Sequence, residues 1–310
     1  TNANMAKVDS VLKSRIAKIN SITAPASWTN NYSVAKSITT GASNYIRATT
    51  PADSPVNFTQ TDDFTISFWI KVGWSVNLNT TVILFQFGPT DATTNWDNQI
   101  RLRYREDNNR LIFRMLNQPG ASKYDIEAQW YFHAGGYGDA GKSGLGTTYW
   151  SATNRGNVGD DDFTMITIVK TTSTAGSAVK IYWNANDLGA PPLTYDSSPA
   201  SMAMVSNEAR ELTIGSNTQP WHANPYYRSG DSTETQYNDF AIWDVALDAD
   251  AITAIFNSGT PIDLTNDSGN YDNSSNLQVY YPFENSGDNE GVETNVSAAT
   301  VAGDSNFESI

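Results

Sequence analysis

Cysteine is absent from the 310 residues, which excludes disulfides, thiolate metal sites and cysteine nucleophiles. Histidine occurs only twice, as His133 and His222, so a histidine-rich metal centre is excluded as well. A serine triad would need one of the two beside an acid and an activated serine, and no sharp strand-to-helix nucleophile motif is present. Long apolar runs are missing: the longest unbroken aliphatic-aromatic stretch is Val82-Ile83-Leu84-Phe85, far below the ~18 residues of a membrane span. Positive charge is scarce. Nineteen Lys and Arg face 33 Asp and Glu, a net −14 that argues against general nucleic-acid binding. Residues 1–30 hold neither an apolar stretch of about 7–15 residues nor a cleavage site, so signal-dependent export is not expected.

What is present points to a β protein. Apolar residues make up 39% and aromatics 12%, with nine Trp, enough for a substantial core. Asp outnumbers Glu 24 to 9 and Asn reaches 31, and both Asp and Asn favour turns and caps over regular interiors. Between those turns Val, Ile, Thr, Tyr, Phe and Trp dominate, which is strand chemistry.

The first 24 residues differ from the rest. They carry +3, leaving −17 on the remainder. Ala6-Lys7-Val8-Asp9-Ser10-Val11 returns eleven residues later as Ala17-Lys18-Ile19-Asn20-Ser21-Ile22. Met5, Val8, Leu12, Ile16 and Ile19 fall at spacings of three and four, one face of a helix, although each short β-branched unit also suits a strand. Residues 1–31 are therefore expected to form a basic arm, either packed on its own domain or anchoring the chain in an assembly.

From residue 32 a series of strands follows. Phe64–Val72, Val82–Phe87, Ile100–Arg105, Leu111–Met115, Phe163–Lys170, Val179–Trp183, Glu211–Gly215, Phe240–Trp243 and Leu277–Phe283 fit the pattern. Asp107-Asn108-Asn109 marks a hairpin. Asp248 is an expected N-cap for one short helix through Phe256, with Gly259 as a stop. Many antiparallel strands with turn punctuation predict a sandwich or barrel.

FTISFWIKV at 64–72, VKIYWNANDLG at 179–189, and ELTIGSN at 211–217 with YNDFAIWDVALDADAITAIFNSG at 237–259 resemble the laminin-G-like group of concanavalin A-like jelly rolls. The resemblance covers residues 32–285. It implies an all-β jelly-roll sandwich of two antiparallel sheets, with residues 117–162 as a long loop insertion and 286–310 as a polar C-terminal segment. It does not imply one function, because this fold hosts lectins, hydrolases, adhesion modules and virion proteins. The repeated arm ahead of such a domain resembles structural proteins of tailed bacteriophages, especially those of marine hosts.

Several motifs invite chemistry. Residues 136–143 match the phosphate-binding loop pattern, but the residues after them will not nucleate a helix, so nucleotide binding is not expected. Asp125 and Glu127, with Gln129 next, share one face of an extended strand. The hydrolases of the resembled family carry two glutamates flanking an aspartate, a pattern this chain lacks, so the pair is expected to be solvated rather than catalytic. Glu208 and Glu211 are three apart and face opposite sides of a strand. Many jelly rolls of this type bind one calcium at a rim loop, which makes Asp160, Asp161, Asp162 and Asp239 candidate ligands for a structural calcium.

In the insertion, Trp130, Tyr131, Tyr137, Tyr149 and Trp150 would suit sugar stacking or protein contact if exposed, or a private mini-core if folded back. Arg101, Arg103 and Arg105 share a strand face, and with Arg110 and Arg114 they place five of the ten arginines within 14 residues. That stripe would meet an acidic surface, or pair with the chain's own Asp residues. The expectation is a non-enzymatic virion structural protein whose partners are copies of itself or other virion proteins and a surface glycan, without nucleic acid. The alternative is a carbohydrate-binding module or lectin-like adhesin at the cell surface or outside the cell. A glycan-cleaving hydrolase ranks third.

Overall fold

The computed structural model describes residues 32–36, 45–72, 81–89, 98–105, 110–117, 124–131, 163–172, 178–191, 193–197, 204, 207–215, 235–302 and 306–309. All belong to the second of the two units into which the chain divides, residues 31–310. The expected features of the arm, from Met5 to Ile19, lie outside the described residues.

Among the described residues, sixteen strands build two antiparallel eight-stranded sheets. Sheet A runs β10 (Asn186–Asp187), β9 (Val179–Trp183), β8 (Thr164–Lys170), β3 (Phe64–Val72), β13 (Thr235–Trp243), β1 (Tyr32–Lys36), β16 (Asn306–Ser309), with β14 (Leu277–Tyr281) also on β13. Sheet B runs β11 (Leu193–Ser197), β7 (Tyr124–Tyr131), β6 (Arg110–Asn117), β5 (Gln99–Arg105), β4 (Thr81–Pro89), β12 (Arg210–Ile214), β2 (Tyr45–Thr50), β15 (Thr300–Ala302). The expected all-β sandwich of two antiparallel sheets, consistent with a jelly roll, is what forms.

Side-chain alternation decides which residues meet between the sheets. On β3, Phe64, Ile66, Phe68 and Ile70 enter the main core, and on β7 Ile126, Ala128 and Trp130 do the same from sheet B. Phe68 stacks on Phe240 of β13 at 5.8 Å and meets Phe85 of β4 edge-on at 6.0 Å, which ties the two sheets together.

The opposite face of β3 builds a second core. Trp69 lies here rather than between the sheets, stacked at 5.7 Å on Phe256. Phe256 ends α1 (Ala249–Phe256), which buries Ala251, Ile252 and Ile255 against sheet A. Asp248 caps the helix as expected, its Oδ1 accepting the Ala251 N–H at 2.8 Å. The stop comes earlier than Gly259: Asn257 takes φ 43° and returns its N–H to the Thr253 carbonyl. Beyond the helix, Trp243 Nε1 donates to the Tyr271 hydroxyl at 3.0 Å, which in turn donates to the Leu264 carbonyl at 2.8 Å.

Two sequence boundaries need correction. Residues 124–131, expected inside a loop insertion, form β7 of sheet B, paired between β6 and the edge strand β11. Residues 286–310, expected as a polar segment beyond the sandwich, contribute β15 on β2 and β16 on β1. Ahead of β15 the chain straps one sheet to the other. Val292 N–H bonds the Leu277 carbonyl in sheet A, and Ser297 N–H bonds the Thr49 carbonyl in sheet B, at 2.8 and 2.9 Å. Tyr281 donates across to the Ser297 carbonyl at 2.7 Å. Gly287 and Gly291 permit this, because a Cβ on either would overlap the carbonyl of Ala299 or Gln278.

Candidate functional site

The connection from β2 to β3 crosses from sheet B to sheet A at one end of the sandwich. Successive turns shape it: Ser54 N–H bonds the Pro51 carbonyl at 3.2 Å and Asn57 N–H bonds the Ser54 carbonyl at 3.0 Å. Asn57 fixes the connection to sheet B, its amide donating to the carbonyls of Pro51 and Glu208 while its Oδ1 accepts the Thr50 hydroxyl. Between this connection, the approach to β12 and the residue after β13 lies a cavity of about 590 Å³. Its polar lining is Asp53, Ser54, Asn57, Asp62, Asp63, Asn207 and Asp244, with Ala52, Pro55 and Phe58 supplying apolar surface.

Three of the four carboxylates are held in place. Asp62 Oδ2 accepts the Thr59 N–H at 2.7 Å and its hydroxyl at 2.9 Å. Asp63 Oδ1 accepts the Thr172 hydroxyl at 2.6 Å. Asp244 accepts the amides of Asn276 and Gln278, each at 3.0 Å. Asp53 is exposed. Two cations stand behind the lining without forming part of it. The buried Lys170 donates to the carbonyls of Gln60 and Thr171, and desolvation lowers its pKa to about 8 against the pull of Asp63 and Asp62. Arg210, also buried, donates to the Phe58 carbonyl and to Asn98 Oδ1, with its guanidinium 5.5 Å from the Phe87 ring centre. Desolvation lowers its pKa to about 10, while Glu208 and Asp62 act in the other direction.

The outer face of sheet B carries a different chemistry. Register sets Gln86, Arg101, Arg114 and Glu127 side by side across four strands. Glu127 lies 3.9 Å from Arg103 and 3.3 Å from Arg114, and it accepts the Gln129 amide. Arg110 donates to Gln129 Oε1 at 2.6 Å. Arg103 and Arg114 thus pair within the chain, with a glutamate rather than the expected aspartates. Arg101 is buried at 5% exposure, which withdraws it from an acidic partner's reach. Arg105 shares the face by register, but its side chain lies outside the described residues, as does that of Asp125. Glu127, expected to be solvated, is instead a buried counter-ion at 6% exposure. Glu208 accepts the Asn98 amide at 2.7 Å, whereas Glu211 sits 3.6 Å from Arg47, with burial raising its pKa.

Two further candidates move. Trp130, expected either exposed or in a private mini-core, is instead fully buried in the main core because β7 alternation turns it inward, and its Nε1 donates to the Gly189 carbonyl at 3.1 Å. Asp239, expected as a rim calcium ligand, is buried inside β13 at a bulge and accepts the Tyr280 hydroxyl at 2.6 Å. Desolvation pushes its carboxyl well above the usual range, against the Tyr280 bond, and the nearby Glu284, Glu290 and Asp263 add to the rise. Among the described residues no three His, Asp or Glu side chains are placed to hold a metal ion. No described helix is long and apolar enough to cross a membrane. Asp160, Asp161, Asp162, Tyr137, Tyr149, Trp150, His133, His222 and residues 136–143 lie outside the described residues, as does the Tyr131 side chain.

The rim cavity was missed by sequence reasoning. The one local signal was the Asp62-Asp63 pair and the two prolines, Pro51 and Pro55, packed into the connector just before β3.

No protein-family model matches the chain, and no similar sequence is found among curated proteins. Among solved structures it is similar to the binding domain of botulinum neurotoxin serotype D/C, at 19% identity and a TM-score of 0.39 over 64% of this chain. A structure of botulinum neurotoxin type C, whose cell entry depends upon interaction with two ganglioside molecules, matches at 18% and 0.38 over 67% of this chain. The chain spans 37% and 38% of the length of these two. The CBM40 of Ruminococcus gnavus IT-sialidase, bound to α2,3-sialyllactose, matches at 14% and 0.36, over 71% of this chain and 94% of its own. At these scores the likeness bears on neither the site nor its ligand.

Proposed function

We propose that the chain is a carbohydrate-binding β-sandwich without hydrolytic activity. The observation that carries this is the rim cavity: about 590 Å³, in the range of small-molecule sites, and lined by seven polar residues of which four are aspartates. Carboxylates offer hydrogen-bond acceptors only, so the ligand must bring the donors, and a sugar brings one on every hydroxyl. Hydroxyl-to-carboxylate bonds are short and about twice as strong as neutral ones. The exposed Pro55 offers an apolar flank that suits the C–H face of a sugar ring.

The absence of hydrolysis rests on Glu127. It is the carboxylate that sequence spacing offered for catalysis, and its oxygens are engaged by Arg103, Arg114 and the Gln129 amide. A general acid or nucleophile has to reach the glycosidic bond, and Glu127 is spent on its own sheet. The virion role expected from the N-terminal repeat rests on residues 1–24, and no observation on the described sandwich favours it.

The test is direct. The full chain should bind at least one immobilised glycan saturably and release no reducing ends from it. Release of reducing ends that disappears in Glu127→Gln would make the chain a hydrolase.

A further inference from the structure

Resting on the carbohydrate reading, we infer that the rim cavity takes an uncharged, hydroxyl-rich saccharide and turns away glycans that carry carboxylates. Asp53, Asp62, Asp63 and Asp244 line the cavity, and among the described residues no Lys or Arg does. Two described cations, Lys170 and Arg210, stand behind the lining and offset part of its charge through Asp62 and Asp63, but their hydrogen bonds go to the Gln60 and Thr171 carbonyls and to the Phe58 carbonyl and Asn98. An anionic sugar entering here would meet four carboxylates and find no Lys or Arg among the described lining residues to receive it, and like-charge juxtaposition is how a site rejects a competitor.

The same carboxylates suit a neutral sugar. Asp62, Asp63 and Asp244 are oriented by Thr59, Thr172, Asn276 and Gln278 before any ligand arrives. Acceptors fixed in advance lose little freedom on binding, so the hydroxyls they accept contribute more of their energy to affinity. Asp53 is exposed and stands apart from that scaffold, which makes it the position where charge can be changed without disturbing the fold.

An array of matched glycan pairs, differing only by a terminal sialic acid or uronate, tests this with the full chain. The uncharged member of each bound pair should give at least about tenfold more signal than its acidic partner, the gap shrinking as salt screens the carboxylates. Asp53→Lys should raise the signal of the acidic members severalfold and leave the melting temperature unchanged. Preference for the acidic members, or a preference that Asp53→Lys does not move, overturns the inference while the carbohydrate reading stands. An array on which no glycan is bound overturns both.

Discussion

Asp239 sits in the bulge of β13 with φ 48°, its carboxyl buried and bonded to the Tyr280 hydroxyl. Burial, with Glu284, Glu290 and Asp263 close by, holds its folded pKa above the unfolded value of about 3.9. The folded state therefore binds the proton more tightly. The associated stability is fully present below about pH 4 and is lost as pH rises through the folded pKa. Asp239→Asn should remove that loss, since Asn keeps an acceptor for Tyr280 and tolerates a positive φ. The variant should therefore be more stable than the parent at pH 7 and gain nothing at pH 3.5. Urea melts of both chains at the two pH values measure it, and equal midpoints at pH 7 would remove the argument. Nothing in the sequence around Asn238-Asp239 set this residue apart from the surface aspartates. Its burial depends on a bulge, and a bulge shows only when the partner strand is known.

At the scale of elements, α1 and the two sheets divide according to how local their information is. β3 and β9 were legible because β-branched and aromatic residues fill them, with an apolar side chain at every second position. α1 was legible because Asp248 caps it and Ile252 and Ile255 repeat at helical spacing. β7 was taken for loop because Asp125, Glu127 and Gln129 fall on the face turned away from the main core. β15 and β16 carry little signal of their own and exist because β2 and β1 lie beside them. The rim cavity gathers residues 52–63, 207 and 244, too far apart for any motif. The cap of α1 is open to test. Asp248→Ala should cost about 1 kcal/mol by leaving an N-terminal N–H of the helix without its acceptor. Because α1 covers Trp69, thermal melts followed by tryptophan fluorescence should report the loss. An unchanged midpoint would mean that packing alone holds the helix.

For the molecule as a whole, the described core runs from Ile46 to Ala299, with Val301 and Phe307 packed against it. Deleting residues 1–24, which belong to the other of the two units, should leave a chain that melts cooperatively within a few degrees of the parent. Deleting residues 284–310 should not, because it removes β15, β16 and the strap that joins Leu277 to Thr49. Circular dichroism melts of the two truncations decide between these roles, and a cooperative transition in the second would make the strap dispensable.

The pairing of β1 with β16 and of β2 with β15 also imposes an order in time. At ~5–20 residues per second, the roughly 260 residues that separate these partners take about 10–50 s to emerge from a ribosome. Throughout that interval the edges that β15 and β16 will cover stand open along residues 32–36 and 45–50. Open edges are where a growing chain recruits a neighbour instead of itself. A cell making this protein must either shield those early strands or keep nascent copies apart until residues 300–309 have emerged.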